Sequence, residues 1–142
     1  MARDLTIDWL GRRYDPSAGK GHLESYFLRA NHPTEPRAFW LKATIWAPID
    51  GEAVAEAWCI TFDRAGATWA AKTTAPFADS RFSEDALDIE IAGCRFRFGL
   101  DGGEASGRMK DGERRWDVRW TSVGGVLGSP VRRGEGVKLP PF

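Results

Sequence analysis

The chain has 142 residues, 42% apolar and 28% charged, with twenty basic and twenty acidic side chains that cancel. That size suits one domain with its own core, and the balanced charge removes the basic excess that drives nucleic-acid binding. No apolar run approaches the ~20 residues of a membrane helix, and residues 1–9 are broken by charge with no signal-peptide core, so the expected compartment is the cytoplasm.

Residues 1–22 are charged, contain Pro16-Ser17-Ala18-Gly19-Lys20-Gly21, and read as a loosely held lead-in. Strands are expected at roughly 23–30, 38–47, 55–63 and 67–75, separated by turn signals at Asn31-His32-Pro33, Asp50-Gly51 and Arg64-Ala65-Gly66. The stretch 52–58 holds helix-favouring Ala and Glu, but Trp58-Cys59-Ile60-Thr61-Phe62 follows at once and favours a strand. Residues 76–85 read as a loop with one helical turn after Ser83. Further strands are expected at roughly 86–92, 94–100, 104–109 and 114–121, with turns at Asp101-Gly102-Gly103, Asp111-Gly112 and Gly124-Gly125. No segment shows a long helical period. Residues 128–142 are rich in Gly, Pro and Arg and read as an extended tail or linker. The expected organisation is a lead-in at 1–22, one β-domain at 23–127 and a tail at 128–142. The fold class is all-β, an antiparallel meander of about eight strands.

Seven tryptophans are the strongest single signal. In Ala38-Phe39-Trp40-Leu41-Lys42-Ala43-Thr44-Ile45-Trp46, one face of a strand would carry Phe39, Leu41, Ala43 and Ile45. The other would carry Trp40, Lys42, Thr44 and Trp46. Two tryptophans do not belong on a wet face, so both faces are expected to be covered. The second mixes rings with an amine and a hydroxyl, as a ligand cavity does. Trp116, Val118 and Trp120 share a face and are most simply core.

Several motifs fail on inspection. Ala18-Gly19-Lys20-Gly21 lacks the glycine and the Ser or Thr that a phosphate loop requires. The glycines of 99–107 lie between strands and open no helix, so they make a hairpin turn. His22 begins a strand and His32 sits in a turn, neither beside a nucleophile elbow. Cys59 and Cys94 lie in strand-like runs and read as buried free thiols; with two distant histidines they give no metal-ligand spacing. Arg12-Arg13, Arg114-Arg115 and Arg132-Arg133 read as solvated surface.

Among the carboxylates, Asp88 and Glu90 share the polar face of one strand, and Arg95 and Arg97 that of the next, so cross-strand pairing is expected. Glu24 shares a face with Tyr26 and Leu28. Asp117 lies between Trp116 and Trp120. Either carboxyl, desolvated in an aromatic cavity, could donate a proton. The competing and favoured reading is a buried ion pair of Glu24 with Lys42 or Lys72 that fixes strand register.

Glu24-Ser25-Tyr26-Phe27-Leu28-Arg29-Ala30-Asn31-His32-Pro33 and the following tryptophan strand form a recognisable pattern. With Ala57-Trp58-Cys59-Ile60-Thr61-Phe62-Asp63, the Lys72 strand and Arg115-Trp116-Asp117-Val118-Arg119-Trp120, it spans about residues 22–121. This resembles the N-terminal half of the lipocalin-like superfamily of hydroxyneurosporene synthase (carotenoid 1,2-hydratase) and the related Diels–Alderases. The resemblance implies a lipocalin-like open or closed barrel with a hydrophobic pocket, acting without a metal or organic cofactor. A second half with its own strands would be expected beyond Lys138-Leu139-Pro140-Pro141; the chain reads as a truncated or single-half protein.

Three functions follow as expectations. The first is binding of a hydrophobic small molecule, isoprenoid- or polyketide-like, lined by Tyr26, Trp40, Lys42, Trp46 and Trp58, with Glu24 or Lys72 orienting it. The second is a cofactor-independent hydratase or cyclase with Glu24 or Asp117 as proton donor. The third is a structural half-domain that self-associates as a homo-oligomer through an apolar sheet face.

Overall fold

Alternating apolar positions separated by short turns produce nine antiparallel strands among the described residues. They are β1 (His22–Asn31), β2 (Arg37–Ala47), β3 (Val54–Asp63), β4 (Thr68–Pro76), β5 (Arg81–Phe82), β6 (Leu87–Ile91), β7 (Cys94–Gly99), β8 (Gly102–Arg108) and β9 (Arg115–Thr121). The computed structural model describes residues 11–99, 102–108 and 115–121; at 99, 102 and 115–121 it describes the backbone alone. All eight expected strands are present with bounds shifted by at most two residues. The two-residue strand β5 was not expected, being too short to show a period, and the helical turn falls at Phe77–Asp79 instead of after Ser83. No helix of the described residues is long and apolar enough to cross a membrane.

The strands form two meanders, a four-stranded sheet in the order β1-β2-β3-β4 and a five-stranded sheet β5-β6-β7-β8-β9. No pairing among the described residues joins one sheet to the other. One core lies between them. Leu41, Ala43 and Ile45 of β2 and Ala55, Ala57 and Cys59 of β3 face Phe82, Leu87, Ile89, Ile91, Cys94 and Phe96 of the second sheet. Among the fully buried side chains the first sheet thus contributes mainly small ones and the second mainly large ones, while Tyr26, Leu28, Phe39 and Trp69 of the first sheet pack around the edge. Cys59 and Cys94 are free and buried, as expected, and burial pushes both thiols up to about 11.

On the outside of the second sheet the acids and bases pair as the sequence suggests. Asp88 lies opposite Arg97 and Glu90 opposite Arg95, with ion-pair distances of 3.5 and 3.6 Å. Arg81 of β5 bridges both carboxylates at 2.9 and 3.0 Å, a partner the loop reading of 76–85 did not foresee.

The β6–β7 hairpin turns through Ala92 and Gly93, both at positive φ, 45° and 82°. Such a turn suits the twist of paired strands but favours Asn or Asp before the glycine. A β-carbon in the left-handed region costs about 1 kcal/mol. Ala92→Asn is therefore expected to raise stability by about 0.5–1 kcal/mol in urea denaturation, with unchanged slope; an unchanged or lower midpoint would refute the strain.

Candidate functional site: the outer face of the first sheet

The register of the first sheet decides which side chains meet. Phe27 pairs with Lys42, Lys42 with Trp58, and Trp58 with Lys72, so ring and amine alternate in one row across all four strands. Leu41, Ala43 and Ile45 point to the core from the same strand as Lys42, so this row lies on the opposite, outer face. Lys42 Nζ stands 5.3 Å from the Phe27 ring centroid and 5.7 Å from that of Trp58. Lys72 Nζ stands 4.9 Å from the Trp58 ring. Each such contact contributes about 0.5–1 kcal/mol near a surface. Phe27 also stacks on Trp40 at 5.5 Å.

Glu56, one row away on β3, holds the Trp58–Lys72 end of this arrangement. It accepts from the Trp58 indole N–H at 3.1 Å and from Lys72 Nζ at 2.9 Å. Beside it Ser25 and Thr44 bond hydroxyl to hydroxyl at 3.1 Å. A polar row of Ser25, Thr44, Glu56 and Thr74 thus crosses the face. Beyond that row, Leu23 and Trp46 lie side by side at 70% and 53% exposure. The outer face of β2 is therefore covered in part: Thr44 is 3% exposed, Trp40 and Lys42 are half-buried, and Trp46 is 53% exposed.

Five expected ligand residues, Trp40, Lys42, Trp46, Trp58 and Lys72, share this outer face. Tyr26 does not join them, since it lies opposite Ala43 on the core side. Phe27 belongs to the row and Glu56 to the next one, and both were missed. Phe27 sits next to Tyr26 in sequence and is separable from it only by parity, and Glu56 falls in a stretch whose composition favours helix. Asp117 lies opposite Ser106 in the β8–β9 register; its side chain is outside the described residues.

Glu24 occupies the other side of the sheet, opposite Ile45, and so cannot pair with Lys42 or Lys72. The expected buried ion pair is replaced by Lys72–Glu56 and by a hydrogen-bonded clasp at Glu24. Its carboxylate accepts from the backbone amides of Arg13 and Tyr14 at 3.0 Å each, from the Tyr26 hydroxyl in a short bond, and from His22 Nε2 at 2.9 Å. Burial alone would push Glu24 up, but the bonds from Tyr26, His22 and the two amides outweigh it and hold the carboxyl below its ordinary value. That direction is opposite to the one a proton donor near neutral pH needs.

The clasp fastens part of the lead-in that the sequence reads as loose. Arg12 N–H donates to the Ser83 carbonyl at 2.7 Å, Arg12 pairs with Glu84, and Tyr14 packs on His22 and Phe77. Gly11 passes so near that a β-carbon there would fall 1.9 Å from the Glu84 carbonyl oxygen. In comparison with known proteins, no family model, no curated protein and no solved structure matches this chain.

Proposed function

We propose that the chain is a binding module for a hydrophobic small molecule, isoprenoid- or polyketide-like, held against the outer face of the first sheet. The single observation behind this reading is the row Phe27–Lys42–Trp58–Lys72, flanked by Trp40 stacked on Phe27. Rings on an open sheet face offer flat apolar area at little entropic cost, because each has only two side-chain torsions. Lysine stems between them add apolar surface while keeping their charges in water. The same class of ligand is what the lipocalin-like resemblance implies, with the difference that the rings here lie outside the described core. The clasped, ionised Glu24 gives no support to acid catalysis, so binding without turnover is the better reading.

Titration with retinol, followed by intrinsic tryptophan fluorescence, is expected to give saturable quenching. Replacing Trp58 with leucine is expected to weaken binding about tenfold, in line with the loss of one stacked ring. Absence of saturable quenching by retinol, retinoic acid or a long-chain fatty acid would overturn the reading.

A further inference from the structure

The outer face of the first sheet carries a local charge excess in a chain that is neutral overall. Its positions along the four strands include three cations, Arg29, Lys42 and Lys72, and one carboxylate, Glu56. Glu56 is already committed to Lys72 and to the Trp58 indole. No carboxylate of the described residues lies within ion-pair distance of Lys42, whose nearest charge-seeking neighbours are the Phe27 and Trp58 rings. An ammonium between two rings is stripped of part of its water on both sides, and its remaining open side favours an anion.

The face is also directional about Lys42. Toward Trp46 it meets the polar row of Ser25, Thr44 and Glu56. In the other direction come Trp40 and Ile60, paired in register, and then Phe62. Phe62 lies four residues beyond Trp58 on β3, about 13 Å along the strand. Arg29 lies opposite Trp40, at the β1 edge of that track; Lys42 stands at its head between two rings, the complement of a long apolar molecule with a single charged end.

We propose that Lys42 is the anion subsite of this face and that the ligand is an amphipathic carboxylate, its head on Lys42 and its tail along Trp40, Ile60 and Phe62. The inference rests on the binding reading above and narrows its ligand class. A carboxylate is chosen because, among the described residues, Lys42 is the one cation of this face held between two rings, and one such ammonium matches one negative charge, whereas a phosphate dianion would need further donors. A nucleic acid is disfavoured because three cations, one of them paired, make too short a phosphate track.

The test uses the whole chain and a matched pair of probes, retinoic acid and retinol, near pH 7.5 at low salt. The acid is expected to bind about tenfold tighter than the alcohol. Lys42→Met, which keeps the apolar stem, is expected to bring the two within about twofold of each other by weakening the acid alone. Lys42→Arg is expected to retain the preference, as is Arg29→Met, which removes a charge one row away from Lys42. Equal affinities in the unmodified chain, or a preference that survives Lys42→Met, would overturn the carboxylate subsite while leaving apolar binding intact. Loss of the preference in Arg29→Met alone would move the charge elsewhere and overturn it too. Binding of neither probe would overturn both this inference and the reading beneath it.

Discussion

Glu24→Gln is expected to lower the unfolding free energy by about 2 kcal/mol and to flatten its dependence on acid. The glutamine keeps the shape but presents an NH₂ group where two backbone amides, of Arg13 and Tyr14, now donate to a carboxylate. Bonds to a charged acceptor are about twice as strong as neutral ones, and donor facing donor is worse than no bond. The pH dependence follows from the direction of the shift. A carboxyl whose native value is depressed contributes stability that is full above its unfolded value of ~4.3 and is lost as pH falls through the native one. Urea midpoints of the unmodified chain should therefore fall as the solution is acidified below that range, and the variant should lose part of this slope. It should not lose all of it. Asp88 is also held low, first by its hydrogen bond from Arg81 and then by the charges of Arg81, Arg97 and Arg95, so it supplies a second acid-sensitive contribution of the same sign. A variant as stable as the parent at neutral pH would remove the clasp from the list of what holds the lead-in.

Ile89→Ala is expected to cost more, about 3–4 kcal/mol. Ile89 is 2% exposed, in the middle of β6, with Phe82 and Phe96 as its cross-strand neighbours. The facing sheet offers Ala43, Ala55 and Ala57, whose side chains are already as small as the cavity would need them to be large. Little can move in to fill the space, which places the site toward the expensive end of large-to-small substitutions. The converse change, Ala57→Leu, should also destabilise, by about 1–3 kcal/mol, because the large residues are on the other side and cannot shrink. Thermal and urea unfolding of both variants check the pair. If Ile89→Ala cost under about 1 kcal/mol, the two sheets would not be packed with the small-against-large complementarity described above.

The strand order and bounds were legible because the period-two pattern is carried by strong β-formers and the turns by Gly, Asp, Asn and Pro. The β6–β7 turn is the instructive exception. Ala92-Gly93 carries half of the expected turn chemistry, so the two strands were visible and the turn between them was not. Residues of the candidate site were legible in part. Trp40, Lys42 and Trp46 share a face by parity within one strand, which sequence supplies directly. That Phe27, Trp58 and Lys72 lie in the same row as Lys42 depends on register across three hairpins, and a slip of one residue would exchange the faces. The pairing of Glu24 with Lys42 or Lys72 fell to that same parity. Its actual partners, two amides of the lead-in, leave no compositional trace, since any residue offers a backbone N–H.

The clasp also has a temporal side. Nearly every strand pairs with its neighbour in the chain, so both meanders can assemble through short closures. The junction of the lead-in with the second sheet is different, because Arg12 and Glu84 are 72 residues apart in sequence. Its closure entropy is compensated only once the first sheet and the β5–β6 segment already face each other. Docking of residues 11–14 on the second sheet is thus expected to come late, after the rate-limiting barrier, as a latch on a structure already assembled. In stopped-flow experiments Arg12→Met, which removes the pair with Glu84, should accordingly speed unfolding and leave refolding nearly untouched, so that the latch governs how long the two sheets stay together and not how quickly they meet.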